Sequence, residues 1–154
     1  MKSIGQWLDE YGESHQNKVN KLIHYICVPA IYMTVVGLFW AVPFPFSDLP
    51  IWFNWATVLT VPALGFYFTL SLRVGIGMTI FTVSVFGFLM WWQNTMAISV
   101  LMMSVFVFVV AWILQFIGHH VEGKKPSFFK DVQFLLIGPA WILCFAYKKL
   151  NLKY

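Results

Sequence analysis

The stretch MAISVLMMSVFVFVVAWILQFI, residues 96–117, contains no charged side chain, and its reading decides the fold. An α-helix needs ~20 apolar residues to cross a hydrocarbon core of ~30 Å, and this run supplies them. In a helix every backbone N–H and C=O inside the run finds a partner within the segment, so lipid can surround it. Working outward, similar apolar runs occupy 22–42, 51–72 and 74–92, and a shorter one, interrupted by Gly138 and Pro139, occupies 132–147. The links are short: 43–50 with three prolines, Arg73 alone, and 93–95. Links of that length make sequential helices antiparallel neighbours. The expected architecture is an all-α integral membrane protein, with four to five transmembrane helices in an up-and-down bundle forming a single membrane domain over 1–154. The last run is expected to be a short kinked or re-entrant helix.

Composition agrees. Of 154 residues, 60% are apolar, 19% aromatic and 10% charged, whereas a soluble domain carries about a quarter charged residues. The net charge of +4 comes from lysines and an arginine near the ends of apolar runs. That scatter suits membrane lipid and lacks the dense basic stripe of a nucleic-acid binder, so no nucleic-acid partner is expected. Cys27 and Cys144 both sit inside apolar runs and read as small buried hydrophobes. The first twenty residues are mostly polar, unlike a cleavable signal peptide, and neither end carries a lipidation motif.

Ahead of the first long run, Ile4, Trp7, Leu8 and Tyr11 recur at helical spacing. They predict a short amphipathic interfacial helix, followed by a loop, within 1–20. Gly12 and Ser14 break it, and Asn17 is positioned to cap the next helix. Lys2, Lys18, Lys21, Arg73, Lys124, Lys125 and Lys130 fall on one side of such a bundle. The positive-inside rule then places the amino terminus in the cytoplasm. Trp40, Trp52, Trp55, Trp91 and Trp92 gather at the opposite interface as an aromatic belt. Lys148, Lys149 and Lys153 join the cytoplasmic side if the last helix is re-entrant.

The four histidines lie in two stretches, His15 with His24 and His119 with His120, which this topology brings to the same interface. Snorkelling and headgroup contact account for His120, Lys124 and Lys125. His24 lies between apolar neighbours, where an unpaired imidazole costs a few kcal/mol. Asn20, four residues earlier, shares its helical face and is a candidate hydrogen-bond partner. A satisfied structural pair and a metal ligand both remain open on the residues alone. His15 stands nine residues before His24, on the opposite face of any continuous helix, so a break near Asn17 is needed to bring them together.

Imidazoles with at most one carboxylate suit zinc, iron or copper. Three histidines with Glu122 and open positions would suit a mononuclear ferrous centre, and zinc is the alternative. Four histidines are too few for the di-iron pattern of membrane desaturases. No HExxH, GxSxG or glycine-rich phosphate loop is present, and Gly75 and Gly77 read as packing positions between helices. Two readings from other classes also fit these residues: a small lipid- or ion-binding membrane protein, or a zinc-stabilised membrane scaffold, each without catalysis.

Two motifs add a resemblance. Residues 11–29, YGESHQNKVNKLIHYICVP, and residues 115–126, QFIGHHVEGKKP, followed by Gly138 and Pro139, resemble the paired signatures of the Mpo1-like membrane proteins. The resemblance runs through the whole chain in order and spacing. Family members are similar to a yeast enzyme of fatty acid α-oxidation, an Fe(2+)-dependent dioxygenase that converts a 2-hydroxy fatty acid and O2 to the fatty acid one carbon shorter. The resemblance implies His15, His24 and His119 as catalytic iron ligands, Glu122 as a further candidate ligand, and Asn20 as a residue supporting them. It also implies that a 2-hydroxy acid chelates the iron through carboxylate and hydroxyl, with its acyl chain between the helices. Lys124 and Lys125 read as solvated loop lysines, with steering of the carboxylate as the alternative. The chain looks closer to the bacterial members, which implies a bacterial inner membrane rather than the endoplasmic reticulum.

Overall fold

The structure, a computed structural model, describes residues 2–46, 48–123 and 128–153, the side chains of 128–133 excepted. Lys124, Lys125 and the Lys130 side chain lie outside the described residues. Among the described residues there are six helices and no strands: α1 (Ile4–Gly12), α2 (Lys18–Ala41), α3 (Trp55–Leu70), α4 (Leu72–Thr95), α5 (Val100–Glu122) and α6 (Phe128–Lys149). With 24, 24 and 23 residues, α2, α4 and α5 are long and apolar enough to cross a membrane, and α3 is a shorter apolar helix of 16. The protein is an all-helical membrane protein.

Helices α1, α2, α3 and α5 begin where a side chain accepts one of their open N–H groups. Ser3 and Gln6 cap α1 reciprocally, each side chain accepting from the other's backbone N–H at 3.3 and 2.8 Å. Asn17 Oδ1 accepts from Val19 N at 2.8 Å and opens α2. The third helix starts at Trp55, later than the apolar run suggests. Asn54 Oδ1 takes the Ala56 N–H at 2.9 Å, and Phe53 N turns back to Pro50 O at 2.8 Å. Trp52 and Phe53 therefore stay in the preceding loop. Three buried threonine hydroxyls bond backward along their own helices, Thr34 to Ile31 O, Thr60 to Ala56 O and Thr82 to Met78 O.

The closest helix pair is α2 with α5, while α3 packs on α4. The apolar face of α1 covers α6: the Tyr11 ring lies 5.3 Å from both Phe134 and Trp141, and Trp7 lies 6.5 Å from Phe134. Gly77 meets Leu143 and Tyr147 of α6 and Gly75 meets Phe68, so both are helix-contact positions. At one end of the bundle Trp40, Trp55 and Trp92 donate their indole N–H to Gln93, Pro43 O and Ile98 O.

The other end holds α1, Arg73 and the last turn of α6. Tyr147 Oη donates to Arg73 O at 3.0 Å, and the Arg73 guanidinium donates to Lys153 O. Leu135 and Leu136, in contrast, lie beside Val35, Val36 and Ala63, well inside α2 and α3. Tyr67, completely buried, donates its hydroxyl to Leu136 O at 2.7 Å. Pro139 has no N–H to offer Leu135 O, and the carbonyl that Tyr67 reaches is the next one along. Since α5 ends against Gln16 and Asn17 and Tyr147 bonds Arg73 O, Glu122 and Lys149 lie at the same end of the bundle.

Candidate metal centre

Gly12 ends α1, and His15 N donates to Gly12 O at 3.0 Å, reversing the chain before Asn17 starts α2. This reversal swings His15 over the first turns of α2, the fold-back that its spacing from His24 demands. Its ring stacks on Tyr11 with centroids 4.2 Å apart and planes 9° from parallel. Its Nδ1–H donates to Tyr11 O at 2.6 Å. That bond leaves Nε2 bare, and Nε2 is buried without a hydrogen-bond partner.

His24 is oriented in the same way, with Nδ1 donating to the Asn20 carbonyl at 2.9 Å. The side chain of Asn20, expected to serve His24, is engaged elsewhere. A ring at position i already reaches the carbonyl of residue i−4 in its own helix, which frees the carboxamide to bridge Ser14 O at 3.2 Å and Glu122 Oε2 at 3.0 Å. His119 arrives from the last turn of α5. The His15, His24 and His119 side chains are 2%, 1% and 7% exposed, which takes all three out of water. Ring centroids lie 4.3 Å (His15–His24), 5.4 Å (His15–His119) and 5.0 Å (His24–His119) apart.

One nitrogen from each ring can be chosen so that all three lie within 4.8 Å of one another. Two nitrogens bonded to one ion at ~2.1 Å are at most ~4.2 Å apart, so ring movements of about an ångström bring the set onto one metal. Burial pushes the His15 imidazole down to about 4; the Tyr11 hydrogen bond opposes that, and the neighbouring His119 reinforces it. At neutral pH His15 is therefore the neutral base that a cation needs. Three buried histidines this close, one with an orphaned nitrogen, fit a bound metal.

Glu122 lies behind this set, on the chain reversal. Its Oε1 accepts Gln16 N at 2.8 Å, and its Oε2 accepts Asn17 N at 2.9 Å and Asn20 Nδ2 at 3.0 Å. Donors so arranged lower the carboxylate's need for a metal and let it pin the loop to α5. Two glycines allow the approach. Any side chain on Gly118 would collide with Asn20 Oδ1, and Gly123, at φ 72°, ends α5 in the left-handed region that favours glycine. His120, the next residue round the helix, is exposed and outside the cluster.

A cavity of about 30 Å³ touches all three histidines and is also lined by Tyr11, Trp112, Gln115, Phe134 and Leu135, among others. It has room for an ion and one or two small ligands. Tyr11, Gln115 and Trp141 are site neighbours that the sequence alone does not place beside the histidines. Gln115 had a signal, being a polar residue one helical turn before His119 in an otherwise apolar run.

A family model described as "2-hydroxy-palmitic acid dioxygenase Mpo1-like" matches residues 1–150. The chain belongs to the Mpo1-like family. No curated protein and no solved structure matches it. The Mpo1-like description points to oxidation of a 2-hydroxy fatty acid by dioxygen, and the apolar helices supply the membrane setting such a substrate calls for. The two motifs that carry the Mpo1-like likeness, around His15 and His119, are the segments that Glu122 ties together.

Proposed function

We propose that the protein is an Fe(2+)-dependent dioxygenase that converts a 2-hydroxy fatty acid and O2 to the fatty acid one carbon shorter. The observation that carries the reading is the convergence of His15, His24 and His119 within 4.8 Å in a buried cavity. A structural zinc site closes its coordination with four protein ligands, whereas a reactive site keeps positions open. This cluster offers three ligands among the described residues. Three neutral imidazoles also leave the charge of a divalent ion uncompensated where water is scarce, which favours an anionic chelating substrate.

His15, His24 and His119 would hold the metal, and iron bound there supplies the one-electron chemistry that lets dioxygen react with the substrate. Tyr11 O and Asn20 O fix the tautomers of His15 and His24, so that Nε2 is the nitrogen of each ring left to bind a metal. Glu122 and Asn20 hold the loop that carries His15, which makes both positioning residues. Phe134, Leu135 and Trp112 keep bulk water from the reacting atoms. Overall, the bond between carbons one and two breaks, carbon one leaves as carbon dioxide and carbon two becomes the new carboxyl. Dioxygen is reduced to water and the new carbon–oxygen bonds, and the substrate provides all of its electrons, so no nicotinamide or flavin takes part.

The test is turnover of 2-hydroxypalmitate by protein in detergent or liposomes with ferrous iron and oxygen. Pentadecanoate formed with oxygen consumption supports the reading. No shortened acid from iron-loaded protein contradicts it. Zinc held tightly by protein without turnover would move the assignment to a structural centre.

A further inference from the structure

The cavity at the histidines is too small for an acyl chain, and a second cavity lies behind one of its walls. Leu135 of α6 forms part of that wall and also part of the wall of the second, a space of about 110 Å³ between α2, α3 and α6. Val35, Val36, Phe39, Leu59 and Ala63 line that space. Its polar side chains are already engaged: Thr60 donates to Ala56 O, and Tyr32 pairs with Thr82 at 2.7 Å. Cavities walled by aliphatic side chains with no free polar atoms stay dry, cost packing energy and accept apolar ligands.

Its depth is informative. On α2 the lining runs from Tyr32 to Phe39, about 12 to 22 Å beyond His24 at ~1.5 Å rise per residue. One leaflet of acyl chains fills about 15 Å, half of a ~30 Å hydrocarbon core. The distance therefore suits the far half of a long-chain tail whose head is at the histidines. At the deep end Phe39 and Leu59 are 41% and 42% exposed, so a longer tail can pass between them into lipid. The alternative space beside His15, a groove of about 370 Å³, is bordered by Asp9, Glu13, Lys21 and Lys148. Charged groups make that groove a poor host for methylenes and a better approach for a carboxylate.

Resting on the function proposed above, we propose that the substrate's acyl tail runs from the histidines past Leu135 into the α2–α3–α6 cavity, with Leu135 as the gate between head and tail. Leu135 packs against Cys27, Ile31 and Ala111, apolar neighbours that hold it by contact alone. A rotamer change there opens the wall without breaking a hydrogen bond. The cavity then acts as a tail-binding site that favours long chains over short ones.

The decisive experiment uses a 2-hydroxy fatty acid carrying a diazirine near its methyl end, photolysed on the iron-loaded, membrane-embedded full-length protein, with labelled residues mapped by mass spectrometry. Label at Val35, Val36, Leu59 or Ala63 supports the proposal. Label at Trp141 or Phe145, or only at lipid-facing positions such as Phe106, overturns it. An Ala63→Phe variant gives a second readout. It should lower turnover of 2-hydroxypalmitate roughly tenfold or more while leaving 2-hydroxyoctanoate nearly unchanged, and equal effects on both overturn the proposal. The two readings fail separately. Cavity labelling without any shortened acid would leave the tail site standing and remove the dioxygenase, and turnover with label in the charged groove would do the reverse.

Discussion

The rings of His15 and His24 meet edge to face, 4.3 Å between centroids and 77° between planes, although a chain reversal separates them. A continuous helix would put these two residues on opposite faces. Their contact exists because the reversal is held from outside, by a carboxylate more than a hundred residues away in sequence. The centre is thus assembled by tertiary contacts, and each can be broken singly.

Replacing Glu122 tests that dependence. In Glu122→Gln one oxygen becomes an NH2 donor facing the Gln16 or Asn17 N–H, so one of the two backbone bonds is lost. Metal affinity is expected to fall roughly 10- to 100-fold, the usual consequence of removing a supporting partner. Helix content by circular dichroism should be unchanged. Undiminished iron affinity in a metal titration would show that Glu122 does not position the ligands.

Gly118 tests the close approach of α5 to α2. Gly118→Ala places a methyl group against Asn20 Oδ1, at an expected cost of about 1–3 kcal/mol. The clash should also lower metal binding by moving His119 from His24. Adding Asn20→Ala removes the clashing atom, so the double variant should be more stable than the sum of the single effects. Strict additivity in thermal or denaturant unfolding would contradict this packing.

The bundle ends predict sidedness. Lys2→Cys and Lys153→Cys should react with an impermeant maleimide from one face of sealed vesicles, and Asp48→Cys from the other. The native Cys27 and Cys144 are buried and contribute little background. Lys2 and Lys153 labelled from opposite faces would contradict the placement of α1 and the last turn of α6 at one end of the bundle. Cytoplasmic placement of the shared face is our expectation from the distribution of lysines.

Much of the fold could be read in the sequence because the cost of burying charge and open backbone in lipid leaves few choices. The apolar runs around Val85 and Phe106 permit only spanning helices. The start of α2 was also legible, since Asn17 is a cap by type and place. Which face of each span meets protein was not legible. A helix such as α5 is apolar all round and shows no directional stripe, so nothing in the sequence assigns Gln115 to the face that meets the histidines. The depth reached by α6 was hidden for a related reason. Pro139 predicts a kink, but only the Tyr67–Leu136 and Tyr147–Arg73 contacts show where the residues on either side of it lie. For the site, residue type and motif brought forward His15, His24 and His119. They could not reveal that Glu122 faces the loop, because hydrogen-bond partners across such a separation leave no local pattern.

The central claim is that three imidazoles from α2, α5 and the loop before α2 share one iron. Its most direct test is metal analysis of protein purified without oxygen. We expect about one iron per chain, lost in His15→Ala, His24→Ala and His119→Ala, and kept in His120→Ala. Protein that carries no metal, or whose iron survives removal of any of the three histidines, would contradict the account.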